Sequence, residues 1–136
     1  MPVVIKVADV PVLDRGSGIL TTPLITHMSA GDAKIVTGIS SYPRGEGAPL
    51  HHHNCDEQVT LLSGTGEVEI DGVVTPLVPY DSTYIEAGIQ HAFRNTGGEP
   101  MVILWIYPAR RVTRTFADTG EEVEHLSEAD MMGADA

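Results

Sequence analysis

Three consecutive histidines and a nearby glutamate are the residues of this chain best suited to do chemistry. They are His51, His52, His53 and Glu57, within the segment GEGAPLHHHNCDEQVTLLSG. Successive side chains of a β-strand point to opposite faces, so His51 and His53 share one face while His52 points to the other. The short polar segment between His53 and Glu57 can turn the chain and bring the carboxylate toward the same point. The pattern predicts a metal site.

A fourth candidate ligand, His91, lies further along the chain in the segment EAGIQHAFRN. Gly88 permits a tight turn just before it, and Ala92 and Phe93 resume a strand-like pattern, so His91 is expected at the start of a strand. Three neutral imidazoles and one carboxylate suit a first-row transition ion and fit poorly with the oxygen-only cages of Ca or Mg. We therefore expect one divalent transition metal ion per chain, drawn from Fe, Mn, Ni, Co, Cu and Zn.

The spacing of the first cluster resembles the first motif of the cupin superfamily, G-x5-H-x-H-x3-E-x6-G. The residues that match this motif without a gap are Gly45, His51, His53, Glu57 and Gly64. A motif of this length is far more specific than an isolated H-x-H pair.

The second cupin motif, G-x5-P-x-G-x2-H-x3-N, is matched in part. Gly88, His91 and Asn95 fall where it expects them. Tyr80 replaces its first glycine and Glu86 replaces its proline, and both positions form turns rather than bind metal. The resemblance implies a metal-binding cupin whose four ligands are His51, His53, Glu57 and His91.

Short β-rich runs alternate with Gly, Pro, Asn and Asp along the chain, a pattern typical of an all-β sandwich or barrel. The runs are residues 3–7, 19–27, 34–42, 58–62, 66–70, 73–77, 82–86, 92–94 and 102–107. With the resemblance, this predicts a single-domain cupin double-stranded β-helix, a jelly-roll-like barrel with a short C-terminal helix or tail. We assign residues 1–30 to N-terminal strands on or extending the barrel, 31–115 to the barrel, and 116–136 to a partly disordered extension in which EEVEHLSEAD forms a short helix.

One run, MVILWIY, is apolar on both alternating faces, which a half-exposed strand does not tolerate. One face is expected to meet the barrel interior. The other is covered either by the N-terminal segment of the same chain or by a second subunit, and cupins commonly form dimers by packing sheets from two subunits. We expect a homodimer.

The net charge and composition limit the classes of molecule that this protein is expected to bind. The chain has 136 residues, with 8 Lys and Arg against 19 Asp and Glu, a net charge of −11. An acidic chain argues against nucleic acid and against an anionic membrane surface, so a small-molecule substrate is expected. Cys55 is the only cysteine, which excludes an intrachain disulfide. With no leader-like or spanning segment apparent, we expect a cytoplasmic protein.

Other residues are weaker candidates. Glu86 is a candidate general base beside His91, although an exposed turn carboxylate is the commoner case. Cys55 is assigned a structural role, since no basic neighbour obviously lowers its pKa. The possible cavity-lining residues are Tyr42, Arg44, Phe93 and Trp105. The cluster Arg110, Arg111 and Arg114 is expected to neutralise the acidic C-terminal stretch, and His27 and His125 have no supporting pattern.

The ligand set leaves several reactions open. Four protein ligands leave one or two metal positions for water, dioxygen or substrate. The first hypothesis is a dioxygenase-type oxidoreductase with Glu57 tuning the charge of the ion. The alternatives are a redox-neutral isomerase, lyase or polyketide cyclase, and a non-catalytic small-ligand-binding cupin. Because imidazoles bind metal only when neutral, release is expected as the pH falls below about 6.5.

Overall fold

The computed structural model describes residues 2–132. Within them the chain forms a 3-10 turn at Val7–Asp9 and twelve strands. The strands are β1 (Leu13–Asp14), β2 (Leu20–Pro23), β3 (Val36–Tyr42), β4 (His51–His53), β5 (Glu57–Ser63), β6 (Gly66–Ile70), β7 (Val73–Leu77), β8 (Ser82–Ile85), β9 (His91–Asn95), β10 (Met101–Tyr107), β11 (Thr113–Phe116) and β12 (Glu122–Glu124). No helix in this part of the chain is long and apolar enough to cross a membrane.

The strands form two six-stranded antiparallel sheets. One sheet has the order β1-β2-β3-β10-β5-β8 and the other β12-β11-β4-β9-β6-β7. Apolar side chains of both sheets, such as Leu61 and Trp105 from the first and Val68 and Phe93 from the second, belong to one buried core. The all-β, jelly-roll-like fold predicted from the sequence is confirmed.

Side-chain alternation places the core. In β10 the residues Met101, Ile103, Trp105 and Tyr107 are buried, and the residues between them are half-buried. A Cβ atom on Gly38, the cross-strand neighbour of Trp105, would lie 2.2 Å from the Trp105 Cζ2 atom. The indole ring therefore packs directly on a glycine backbone. What covers the outer face of β10, a second subunit or another segment, stays a prediction.

The predicted turns agree with the backbone. Asp71 and Gly72 have φ angles of 49° and 83° and join β6 to β7, as expected for a hairpin dipeptide. Tyr80, which replaces a motif glycine, has a φ of 74°. Tyr80 thus adopts the left-handed backbone conformation that the motif glycine would adopt, although its side chain is bulky.

Two expected elements differ from the structure. Residues 3–7 form no strand, and the 3-10 turn begins at Val7. The predicted C-terminal helix is wrong, because β12 pairs antiparallel with β11 and buries Val123 between the exposed Glu122 and Glu124. Only Val123 is buried in this segment, and a strand buries a single side chain without the apolar face that a helix would need. The expected disorder at residues 133–136 lies outside the described residues.

Candidate metal centre

Two neighbouring strands bring the three histidines together. His51 and His53 lie on β4 with buried side chains, and His91 begins β9, where its Cα pairs with that of His51. One ligand nitrogen from each residue lies within 4.8 Å of the other two. The half-buried His52 belongs to the opposite face of β4, as alternation predicts.

Backbone carbonyls fix which ring nitrogen each histidine presents. The Nδ1 atoms of His51, His53 and His91 lie 2.6, 3.0 and 2.8 Å from the carbonyl oxygens of Pro49, Thr113 and Ile89. A carbonyl can only accept, so in the neutral rings Nδ1 carries the proton and Nε2 carries the lone pair. Such outer hydrogen bonds are typical of metal-binding histidines.

Glu57 comes from the other sheet, at the start of β5. Its Oε1 lies 2.8 Å from His91 Nε2, and its Oε2 lies 3.9 Å from His53 Nε2. Among the described residues, neither Glu57 Oε1 nor His91 Nε2 has a hydrogen bond of acceptable geometry, although both atoms are buried. A carboxylate oxygen and an imidazole lone pair repel each other at this distance unless a proton or a cation lies between them.

The surroundings of His51, His53 and Glu57 favour the protonation states in which these side chains can bind a metal ion. Burial, helped by the charge of Arg114, lowers the pKa of His51 well below its usual value. Burial also lowers the pKa of His53 to about 4, although Glu57 acts in the opposite direction. Burial alone would raise the pKa of Glu57, but His91 and His53 outweigh it and lower that pKa to about 2. These directions keep His51 and His53 neutral and Glu57 ionised at neutral pH, as binding of a divalent ion requires.

These residues fit a transition metal ion. Three imidazole nitrogens form the cluster that could hold an ion. Glu57 lies beside His91 and His53 but is not part of that group of three. The unpartnered Glu57 Oε1 and His91 Nε2 atoms would gain a partner if a cation were bound. The three-histidine cluster therefore suggests a metal site.

Sequence reasoning missed two residues at the centre. The Tyr107 hydroxyl lies 3.2 Å from His53 Nε2, and burial, with a further contribution from Glu57, raises its pKa well above the usual value. The His125 ring lies 5.0 Å, between centroids, from both Trp105 and Tyr107. Alternation along β10 was the signal that could have found Tyr107. His125 follows β12, and no local pattern marked it.

A buried ion cluster lies next to the candidate ligands. The Asp130 carboxylate lies 2.8 Å from Arg15 Nη2 and 2.9 Å from Arg114 Nε. All three side chains are at most 4% exposed. Arg111 also meets an acid, with 3.5 Å between its Nη2 and Glu124 Oε1. Two members of the predicted basic cluster thus do contact the acidic C-terminal stretch.

The space beside the ligands is small. A cavity of about 20 Å³ is bounded by His51, Glu57, His91, Tyr107 and by residues of both termini. That volume holds about one water molecule. A larger groove of about 660 Å³ lies outside, lined by apolar residues and by Arg110 and Arg111, and His125 borders both spaces. Of these two spaces, the small cavity is the one lined by His51, Glu57 and His91.

The remaining candidates are dispersed. Tyr42, Phe93 and Trp105 line the small cavity, whereas Arg44 is exposed. Glu86 is exposed in the turn after β8 and does not line it.

Cys55 is half-buried outside the small cavity. Burial, with Glu57 and Asp56, raises its pKa to about 11.

Comparisons with known proteins agree with this architecture. The family model described as "Cupin domain" matches residues 38–107. Polyketide synthase CurC of Streptomyces cyaneus is 30% identical over 99 residues, which cover 72% of this chain and 64% of that protein. The 5-nitrosalicylic acid 1,2-dioxygenase of a Bradyrhizobium species is 33% identical over 63 residues, covering 46% of this chain and 30% of that protein.

A solved structure extends the similarity over most of the fold. The polyketide cyclase RemF of Streptomyces resistomycificus superposes with a TM-score of 0.70 at 18% identity, covering 96% of this chain and 90% of that one. The chain spans between 12% and 64% of the length of the curated relatives it matches.

Proposed function

The chain belongs to the cupin family, and from this premise we propose that it is a metal-dependent enzyme acting on a small carbonyl-bearing molecule. His51, His53, Glu57 and His91 hold one divalent transition metal ion per chain. The observation that carries the proposal is a cluster of three buried imidazoles, each with Nδ1 held by a backbone carbonyl. Beside two of them lies a carboxylate with an unpartnered oxygen.

The reaction we place first is redox-neutral, of the isomerase, lyase or cyclase type. When bound, a metal ion at this site polarises a carbonyl or enolate oxygen as a Lewis acid. Tyr107 is the residue that can move a proton, since its phenol is buried, stays protonated and lies 3.2 Å from His53 Nε2. The hydroxyl also interacts with Glu57, and from this position it would donate to a substrate oxygen that enters the cavity. Ile103, Phe93 and Trp105 keep bulk water out.

A dioxygenase is the second candidate, favoured by the identity with the Bradyrhizobium dioxygenase. The sequence alone ranked it first. We rank it second because the match to CurC covers more of the chain and because a buried, protonated phenol serves proton transfer. A homodimer in the cytoplasm remains part of the proposal.

Metal binding is tested on protein purified without chelator or added metal. Elemental analysis should find one transition ion per chain in the wild type and in the control variant His52→Ala, whose ring lies on the other face of β4. His51→Ala and Glu57→Ala should lose it. A wild type without stoichiometric metal, or variants that hold as much as the wild type, would refute the site.

The reaction class is tested by turnover of β-diketones and ortho-substituted phenols with and without oxygen. Redox-neutral chemistry predicts conversion under nitrogen by both the Zn(II) and Fe(II) forms. Tyr107→Phe should retain the metal and lose about a hundredfold in rate, the usual contribution of a proton donor. Conversion that consumes oxygen and occurs only with Fe(II) would favour the dioxygenase instead.

A further inference from the structure

The carboxylate of Asp130 is held in a charged pocket within the fold. Arg15, between β1 and β2, and Arg114, on β11, come from opposite sheets and contact its two oxygens at 2.8 and 2.9 Å. Arg15 Nε also donates to the Asp130 carbonyl oxygen at 2.8 Å, and the Leu126 amide donates to Oδ2 at 2.8 Å. Asp130 is completely buried. Two guanidiniums on one carboxylate form a site built for an anion.

This anion site adjoins the metal centre. Arg15 and Arg114 line the same cavity as His51, Glu57 and His91. The Cα of Arg114 pairs with that of His53 across β11 and β4. The Nη1 atom of Arg114 is buried and has no hydrogen-bond partner among residues 2–132. A donor of this cluster is therefore left over for a ligand that enters the cavity.

The cavity of about 20 Å³ is too small for an organic substrate while the C-terminal segment, residues 122–132, lies over it. The segment is held at its start by the pairing of β12 with β11 and at its end by contacts with Arg15 and Tyr42. The Met132 amide donates to the Arg15 carbonyl oxygen at 2.8 Å, and the Tyr42 hydroxyl lies 3.5 Å from Met132 Sδ. Because the Asp130 ion pair is the charged part of this attachment, a competing anion can release the segment.

We propose that Arg15 and Arg114 bind the carboxylate of the substrate. When no substrate is bound, the Asp130 carboxylate occupies this anion site in its place. The substrate displaces Asp130, and the C-terminal segment that carries Asp130 moves with it. This rests on the proposed function and narrows its substrate to small organic acids. The alternative is that Asp130 forms a permanent structural ion pair with the two arginines. A displaceable Asp130 and a permanent ion pair respond differently to an added carboxylate.

The probe is benzoate, with the neutral benzamide as its control, titrated against the full chain. Trp105, the only tryptophan, lines the cavity and reports binding by its fluorescence. Asp130→Asn keeps the shape of the side chain and removes its charge, so it should bind benzoate at least about tenfold more tightly than the wild type. The exposed Glu128→Gln, two residues away, makes the same change in net charge and should bind like the wild type. An equal gain for benzamide, or no gain for benzoate, would overturn the proposal.

A second measurement does not depend on the folding of the variant. In the wild type, saturating benzoate should accelerate hydrogen exchange at the Leu126 and Met132 amides and leave the Leu61 amide in β5 unchanged. Protected amides in the presence of bound benzoate, or no binding up to its solubility limit, would identify a permanent ion pair.

Both measurements are made on metal-free and Zn(II)-loaded protein, and the loaded form should bind benzoate more tightly. If the protein binds no metal but benzoate binds and gives the expected effects, only the proposed function is refuted. Stoichiometric metal with no benzoate effect would refute only this inference.

Discussion

Lowering the pH should destabilise the metal-free protein well before its carboxylates are protonated. Burial lowers the pKa of His53 to about 4 in the folded chain, whereas an unfolded histidine titrates near about 6.5. Between these values the unfolded state binds a proton that the folded state excludes. The stability that the neutral ring provides is therefore full at neutral pH, declines as the pH falls below about 6.5, and stops declining near about 4.

The magnitude at pH 5 follows from the linkage. The unfolded pKa lies about 1.5 units above that pH, and each unit is worth about 1.4 kcal/mol, so His53 alone costs about 2 kcal/mol relative to neutral pH. His51 and His125, whose pKa values are also lowered well below normal by burial, act in the same direction. Glu57 does not oppose them in this window, because its pKa is lowered to about 2 and its contribution is lost only in stronger acid.

The assay is urea unfolding of chelator-treated protein at pH 7 and pH 5, followed by Trp105 fluorescence. The wild type should lose at least about 2 kcal/mol of unfolding free energy between the two. His53→Gln should lose about 2 kcal/mol less across the same interval. His52→Gln, on the same strand but the opposite face, should keep the wild-type difference. Equal wild-type stability at both pH values, or an unchanged difference in His53→Gln, would refute the electrostatic argument.

Three further outcomes are expected. Gly38→Ala should lower the unfolding free energy by about 1 to 3 kcal/mol, because the new methyl group would overlap Trp105. Gly31→Ala is the control, because its added Cβ would meet nothing within 4 Å and should leave the stability unchanged. Equal thermal midpoints for the two variants would contradict this prediction. The Cys55 thiol, whose pKa burial raises to about 11, should react with iodoacetamide at about pH 8 roughly a hundredfold more slowly than in urea-unfolded protein. Proton competition with Zn(II) at His53 should begin near about pH 4 rather than 6.5, which metal titrations across that range will check.

The sequence predicted that the candidate ligands would lie close together, because the information is local. Alternation separates His51 and His53 from His52 within three residues, and the motif spacing carries Glu57 into the next strand. His91 is more distant, yet it is also fixed by pattern, since Gly88 takes a φ of 84° and its amide donates to the His53 carbonyl oxygen at 3.0 Å. Local rules of strand and turn thus sufficed to bring the candidate ligands together.

The covering of the site could not be predicted in this way. Arg15 and Asp130 are separated by 115 positions, and only the tertiary fold brings them together. The stretch around Val123 was assigned to a helix because its acidic residues favour one, but pairing with β11 decides its structure. Propensity is a weak guide when an unpaired strand edge is available. Glu86 was singled out from its position near His91, and its exposure separates it from the ligands.

The division between these two parts bears on how the site acquires its specificity. The family match covers residues 38–107 and contains His51, His53, Glu57, His91 and Tyr107. Three residues that line the cavity, Arg15, Arg114 and His125, lie outside that range. Asp130, which pairs with both arginines, lies outside it as well. Since a fold shared by many enzymes does not determine their substrates, the residues that choose the substrate must differ from those that the fold requires. The two chain ends are therefore where substitutions should change the choice of ligand and leave the metal in place.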